Sequence, residues 1–183
     1  MKVAQQVAVV CCALPLFGNA DGDSESRVFD AFHKRVSMYV KIHKSAQGEV
    51  DGVHQTDSPG QIDGKERALA RSIRNARRAA SQGEIFTSEI AAAFRKLLAA
   101  ALAGPNGRSI RESLRRAEPS RPLHIRVNAA YPPGFPLQST PPSLLLNLPM
   151  LPSKLEYRVA GHALVLRDQD ANLIVDFIPD AIP

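Results

Sequence analysis

Cysteine and aromatic residues are scarce in this chain, and each shortage excludes a class of function. The 183 residues contain two cysteines, Cys11 and Cys12, and no tryptophan. The sequence after Cys12 therefore cannot supply a disulfide, a thiolate nucleophile or a cysteine-ligated zinc site. Aromatic residues make up 5% of the chain, which leaves few side chains on which nucleic-acid bases could stack.

The short motifs of common catalytic and metal sites are missing as well. The sequence has no Gly-x-Ser-x-Gly elbow, no His-Glu-x-x-His helix and no glycine-rich phosphate loop. Its five histidines are scattered, at His33, His43, His54, His124 and His162. No catalytic residue, metal ligand or cofactor is therefore predicted from a motif, and only a site assembled by the fold stays open.

The N-terminus has the features of an export signal. Lys2 supplies a positive charge, and residues 7–17 form an apolar run that is too short to span a bilayer. Small residues and then a polar stretch follow, as at a signal-peptidase cleavage site. We predict a signal peptide over residues 1–20, no transmembrane segment in the mature chain, and a periplasmic or secreted location. Lipid attachment at one of the two cysteines is the open alternative.

Composition and periodicity divide the rest of the chain, residues 21–183, into three parts of one α+β domain. Residues 21–118 show helical spacing of apolar residues, and residues 154–183 show the period of two that is typical of strands. Between them, residues 119–153 form a connector, which holds nine of the fourteen prolines. We predict three to four helices packed on a small antiparallel β-meander.

The helices and the connector have recognisable boundaries. Thr87 is the expected N-cap of the third helix, and Gly104-Pro105 is its expected end. Alternation of apolar and polar residues at 123–128 predicts a strand. The other helices are expected at about residues 24–47, 62–82 and 108–117, and a helical turn is expected after Pro141-Pro142.

Arginines form the most regular charged feature of the second predicted helix. Residues 65–118 contain 12 basic and 5 acidic residues. At about 100° per residue, four of these arginines fall within an arc of roughly 60°. Such a face can bind phosphates, lipid headgroups or an acidic protein, or it can be solvated or pair with local acids such as Glu66. The four are Arg67, Arg71, Arg74 and Arg78.

The C-terminal part predicts three strands and raises the question of an ion site. Asp168, Asp170 and Asn172 occupy alternate positions, as in the first half of an EF-hand loop. The glycine and the bidentate glutamate of such a loop are replaced by Leu173 and Pro179. We therefore predict a turn between the second and third strands, with both aspartates exposed to water.

The segment "LEYRVAGHALVLRDQDANLIVDFIPDAIP" resembles the C-terminal signature of a group of exported bacterial proteins without a known activity. The stretch "GEIFTSEIAAAFRKLL" is similar to their middle region. The resemblance implies export and a shared fold. It assigns no role to any residue.

Two functional hypotheses from different classes follow. The first is a non-catalytic binding module of the periplasm or cell envelope, which contacts an anionic envelope component or an acidic protein through the four arginines; export and the few aromatics disfavour nucleic acid. The alternative is a hydrolase or metal-dependent enzyme, in which His124 or His162 converges with Asp168 or Asp176. A structural accessory that pairs its sheet edge with a partner strand is a third hypothesis.

Overall fold

The computed structural model describes residues 20–51, 59–116, 124–131 and 140–182. Most of the predicted signal peptide, with both cysteines, therefore lies outside the described residues, and so does His54. Within the ranges given, no helix is both long enough and apolar enough to cross a membrane.

Helices precede a small sheet, which confirms the α+β class. The helices are α1 (Ala20–Asp51), α2 (Pro59–Ala76), α3 (Ser88–Ala103), α4 (Gly107–Arg116) and the single turn α5 (Pro142–Leu145). The strands are β1 (Leu155–Ala160), β2 (Ala163–Asp168) and β3 (Leu173–Ile178), in the antiparallel order β1-β2-β3.

The sheet has the predicted meander topology. Gly161 turns β1 into β2 with a φ of 59°, and Asn172 turns β2 into β3 with a φ of 48°, values that glycine and asparagine tolerate best. The pairing of β2 with β3 shifts after Leu166. In this register Asp168 and Asp176 share the face of Leu166. Both carboxylates are thereby placed on the face that packs against the helices.

Aromatic rings join the helices to the sheet. Phe94 of α3 lies 5.0 Å from Phe32 of α1, 5.1 Å from Phe86 and 5.8 Å from Tyr157 of β1, measured between ring centroids. All four rings belong to one buried cluster. Burial of each large apolar side chain contributes about 1.5–3 kcal/mol. These four aromatic residues thus lie where the helices meet the sheet.

Both ends of α3 follow the expected chemistry. Thr87 is the N-cap, and its hydroxyl accepts a hydrogen bond from the Ile90 amide. After Gly104 the chain turns sharply into α4 at Gly107. A Cβ atom at Gly107 would lie 1.8 Å from the Leu102 carbonyl oxygen, so this crossing requires glycine.

The second helix ends earlier than the predicted residue 82. It ends at Ala76, and residues 77–87 leave the helix axis as a loop. The amides of Gly83, Ile85 and Phe86 donate to the buried carboxylate of Asp176. These amides lie beyond the predicted end of the helix, so their hydrogen bonds fix the loop that leads into α3. At the observed end of α2, the Arg77 carbonyl accepts hydrogen bonds from the Ala80 amide and from Asn128 Nδ2.

Residues 124–128 do not form the strand predicted at 123–128, so that prediction was wrong. Backbone pairing beside β3 begins at Asn128, whose amide donates to the Ile174 carbonyl, and the Ile174 amide donates to the Ala129 carbonyl. The Tyr131 amide donates to the Asn172 carbonyl, just before β3. Asn128 has a φ of 62°, so the chain turns at the residue where it meets the sheet. On the opposite edge, the Thr140 hydroxyl donates to the Tyr157 carbonyl. Described connector residues thus contact both outer strands, by backbone pairing at β3 and by one hydroxyl at β1.

Candidate functional site

Three of the four arginines predicted as a binding face are exposed. Arg67, Arg71 and Arg78 are exposed on α2 or just after its last residue. The Arg67 side chain donates to the Asp63 carbonyl at 2.9 Å, and that of Arg78 donates to the Asn75 amide oxygen at 3.3 Å. Both acceptors are uncharged. We call Arg67, Arg71 and Arg78 the arginine face.

Arg74 has a different role from the other three. It is partly buried, and its Nε donates to the Asn128 carbonyl at 2.8 Å, which ties α2 to the connector. None of the four arginines forms an ion pair with a carboxylate among the described side chains, Glu66 included. The positive charge of the arginine face is therefore not neutralised within this part of the fold.

Arg77, which sequence reasoning missed, is the buried arginine of this region. Its guanidinium donates to the Val175 carbonyl at 3.1 Å, to Asn128 Oδ1 at 3.1 Å and to Glu84 Oε2 at 2.9 Å. It also lies 5.0 Å from the centre of the Tyr39 ring. The available signal was its spacing of four from the buried Ile73, which places both on one side of a helix.

A buried carboxylate stands at the end of β2. Asp168 is 0% exposed, so the prediction that it lies in water was wrong. Its Oδ2 accepts hydrogen bonds from Tyr39 Oη and His43 Nδ1, both at 2.6 Å, and its Oδ1 accepts one from the Ala171 amide at 2.9 Å. Burial alone would raise the pKa of Asp168, but these hydrogen bonds outweigh it and hold the pKa below its ordinary value.

His43 is the histidine that meets this carboxylate. The side chain is 2% exposed. Its Nε2 lies 3.7 Å from Asp170 Oδ2, which in turn is 2.5 Å from Lys154 Nζ. The hydrogen bond to Asp168 is the main reason that the pKa of His43 is raised, and burial opposes it. The position of His43 in the apolar stripe of α1 signalled burial, but no local pattern identified a partner 125 residues away.

The carboxylate of Asp176 accepts hydrogen bonds from backbone amides. Besides the three amides of the loop after α2, at 2.7–2.9 Å, the Phe177 amide donates to it at 2.8 Å. Four donors on one buried carboxylate fix the path of the loop between α2 and α3. This arrangement leaves Asp176 poorly placed to exchange protons with a substrate.

The two histidines proposed for an assembled enzyme site do not meet these aspartates. His124 and His162 are exposed, and His162 Nδ1 lies 2.9 Å from the Ile182 carbonyl oxygen. Neither hydrogen-bonds to Asp168 or Asp176, whose partners are given above. Across the described ranges, no group of three or more His, Cys, Asp or Glu side chains is arranged to hold a metal ion.

An apolar groove lies between α5 and β1. It has a volume of about 330 Å³, and Leu145, Leu148, Met150 and Tyr157 contribute to its lining. Met150 is 88% exposed, and the neighbouring Leu146 is 86% exposed. Sequence reasoning did not single out this surface.

Comparison with protein-family models, with curated proteins and with solved structures finds no match to this chain. The resemblance of its C-terminal segment to exported bacterial proteins stays a prediction.

Proposed function

We propose that the chain is a non-catalytic binding module that holds an anionic partner on the arginine face. The partner is an anionic component of the cell envelope or an acidic protein, met in the periplasm or outside the cell after removal of residues 1–20. The observation that carries this proposal is the exposure of Arg67, Arg71 and Arg78 without a carboxylate partner among the described side chains. Guanidinium groups bind carboxylates and phosphates with charge-assisted hydrogen bonds.

The length of the arginine face favours a ligand with several anionic groups. Arg67 lies nine positions before Ala76, the last residue of α2, which corresponds to about 14 Å along the helix, and Arg78 follows beyond that end. One phosphate cannot contact guanidiniums spread over that distance. A lipid surface or an acidic polypeptide presents repeated anions at comparable separations.

The alternative, a hydrolase or metal-dependent enzyme, has one supporting observation. Asp168 orients His43 through Nδ1, as a carboxylate orients the imidazole of a catalytic dyad. Burial of the imidazole weighs against an enzyme function, because a substrate cannot reach it. His43 is 2% exposed, and its Nε2 lies inside the fold. The binding module is therefore the better supported function.

Binding to two anionic probes tests the proposal. The mature chain is mixed with phosphatidylcholine vesicles that contain phosphatidylglycerol, and separately with polyglutamate, over a range of salt concentrations. The variant Arg67→Gln/Arg71→Gln/Arg78→Gln is compared with Lys34→Gln/Lys41→Gln/Lys44→Gln, which removes the same charge from exposed positions of α1.

We expect the affinity for the anionic probe to weaken as salt rises. In the arginine variant the affinity should fall roughly 100-fold, because each charge near an anionic surface contributes about 1 kcal/mol. The lysine variant should keep most of the affinity. An equal loss in both variants, or no binding of either probe by the unmodified chain at low salt, contradicts the proposal.

A further inference from the structure

Both ring nitrogens of His43 face a carboxylate near the turn between β2 and β3. Nδ1 is 2.6 Å from Asp168 Oδ2, and Nε2 is 3.7 Å from Asp170 Oδ2. Nε2 is buried and has no hydrogen-bond partner among the described residues. Asp168 and Asp170 therefore hold the imidazole between them, with the second contact incomplete.

The protonation state of the imidazole decides whether both contacts are favourable. A neutral imidazole has one N–H donor and one lone pair. The short contact with Asp168 assigns the N–H to Nδ1, which leaves a buried lone pair on Nε2 facing the Asp170 carboxylate. An imidazolium has a donor on each nitrogen, so it can satisfy both aspartates. A buried acceptor without a donor is unfavourable.

Other charged and titratable groups surround this pair. From α1, the Tyr39 hydroxyl donates to the same Asp168 oxygen as His43. Lys154, just before β1, binds Asp170 and opposes the positive charge on His43. From the end of α2, Arg77 lies over the Tyr39 ring. The two aspartates favour the imidazolium, and the pKa of His43 is raised as a result.

We propose that His43 is a proton-dependent latch between α1 and the β2–β3 turn. With a proton on each nitrogen, His43 joins α1 to Asp168 and Asp170 together. When the Nε2 proton is lost, only the Asp168 contact stays favourable, and residues 168–172 open from α1 more often. This device goes beyond binding at the arginine face and does not depend on it.

Hydrogen exchange of the mature chain tests the latch at about pH 5.5 and about pH 8.5, on either side of the ordinary imidazole range. After correction for intrinsic exchange rates, the amides of residues 168–172 should open about two- to fivefold more often at the higher pH. The amides of α3 provide the internal reference. Equal opening of the turn at both pH values overturns the proposal.

Two variants at partly exposed positions give opposite expected results without removing a buried group. Asp170→Asn removes the carboxylate that faces Nε2, so the pH dependence of turn opening should shrink. Lys154→Gln removes the opposing cation, so the titration of His43, followed by imidazole nitrogen chemical shifts, should move to higher pH. Full pH dependence in Asp170→Asn, or shifts of the His43 titration in the same direction in both variants, also overturns the proposal.

Discussion

His43 Nδ1 lies 2.6 Å from Asp168 Oδ2, although 125 residues separate the two in sequence. This contact joins α1 to the end of β2 and fixes the helical layer against the sheet. Tyr39 adds a second donor from the same helix. Asp168, the first acid of the pattern that resembles a calcium loop, is therefore part of the interior of the fold, whereas Asp170 is partly exposed.

Replacement of Asp168 by alanine should destabilise the fold strongly. The change leaves His43 and the Tyr39 hydroxyl buried without their acceptor, and loss of one partner of a buried charged pair costs about 3–5 kcal/mol. Urea unfolding followed by circular dichroism measures the effect. Asp30→Ala, at an exposed position of α1, is the control and should stay within about 0.5 kcal/mol of the unmodified chain. If Asp168→Ala lowered the free energy of unfolding as little as the control does, the contacts of Asp168 with His43 and Tyr39 would contribute little to stability.

Stability should be greatest in mildly acidic solution. The pKa of His43 is raised, so its contribution is complete below the ordinary value of 6.5 and is lost as pH rises through the folded pKa. The pKa of Asp168 is lowered, so its contribution is present above the ordinary value of 3.8 and is lost as pH falls through the folded pKa.

The measurement is the free energy of unfolding at a series of pH values, for the unmodified chain and for His43→Gln. The difference between the two should shrink as pH rises from the mildly acidic range. A difference that is constant across the series would contradict this assignment of the proton.

The neighbours Arg77 and Arg78 should respond in opposite ways to substitution. Arg77→Lys keeps the charge, but one ammonium group cannot reproduce a planar guanidinium that serves three acceptors, so a loss of about 2–3 kcal/mol is expected. Arg78→Lys, at an exposed position, should change the free energy of unfolding by less than about 0.5 kcal/mol. Denaturant unfolding measures the free energy of unfolding of both variants. Similar losses in Arg77→Lys and Arg78→Lys would contradict the different roles assigned to the two arginines.

Replacement of two glycines by alanine should change the stability of the fold in opposite directions. At Gly107 the added methyl group would overlap the Leu102 carbonyl, so α3 and α4 must shift, and a cost of about 1–3 kcal/mol is expected. At Gly48 in α1 nothing lies within 4 Å of the added group, so alanine should stabilise the helix by about 0.5–1 kcal/mol. Melting temperatures of the two variants that move in the same direction would contradict this account of the α3–α4 turn.

The elements that could be predicted from the sequence are those fixed by local chemistry. The period of two and the turn at Gly161 define the meander, and Thr87 with Gly104 delimits α3. The end of α2 could not be predicted, because Arg77, the first residue after it, bonds to Asn128 and Val175, which reach it only in the folded chain.

For the candidate site, too, local spacing could be predicted from the sequence and burial could not. Helical spacing placed the four arginines on one side of the predicted second helix. Arg78 lies beyond the end of α2, and the partial burial of Arg74 depends on Asn128, which reaches it only in the folded chain. An alternating Asp-x-Asp pattern is typical of exposed turns. Burial of Asp168 results from tertiary contact with α1, which no local pattern encodes.

The central claim is that the arginine face binds an anionic partner, and nuclear magnetic resonance of the arginine side chains tests it most directly. On titration with polyglutamate at low salt, the Nε–H signals of Arg67, Arg71 and Arg78 should shift progressively, whereas that of the buried Arg77 should not. Signals of the arginine face that stay unchanged while arginines of α4 shift would contradict the claim.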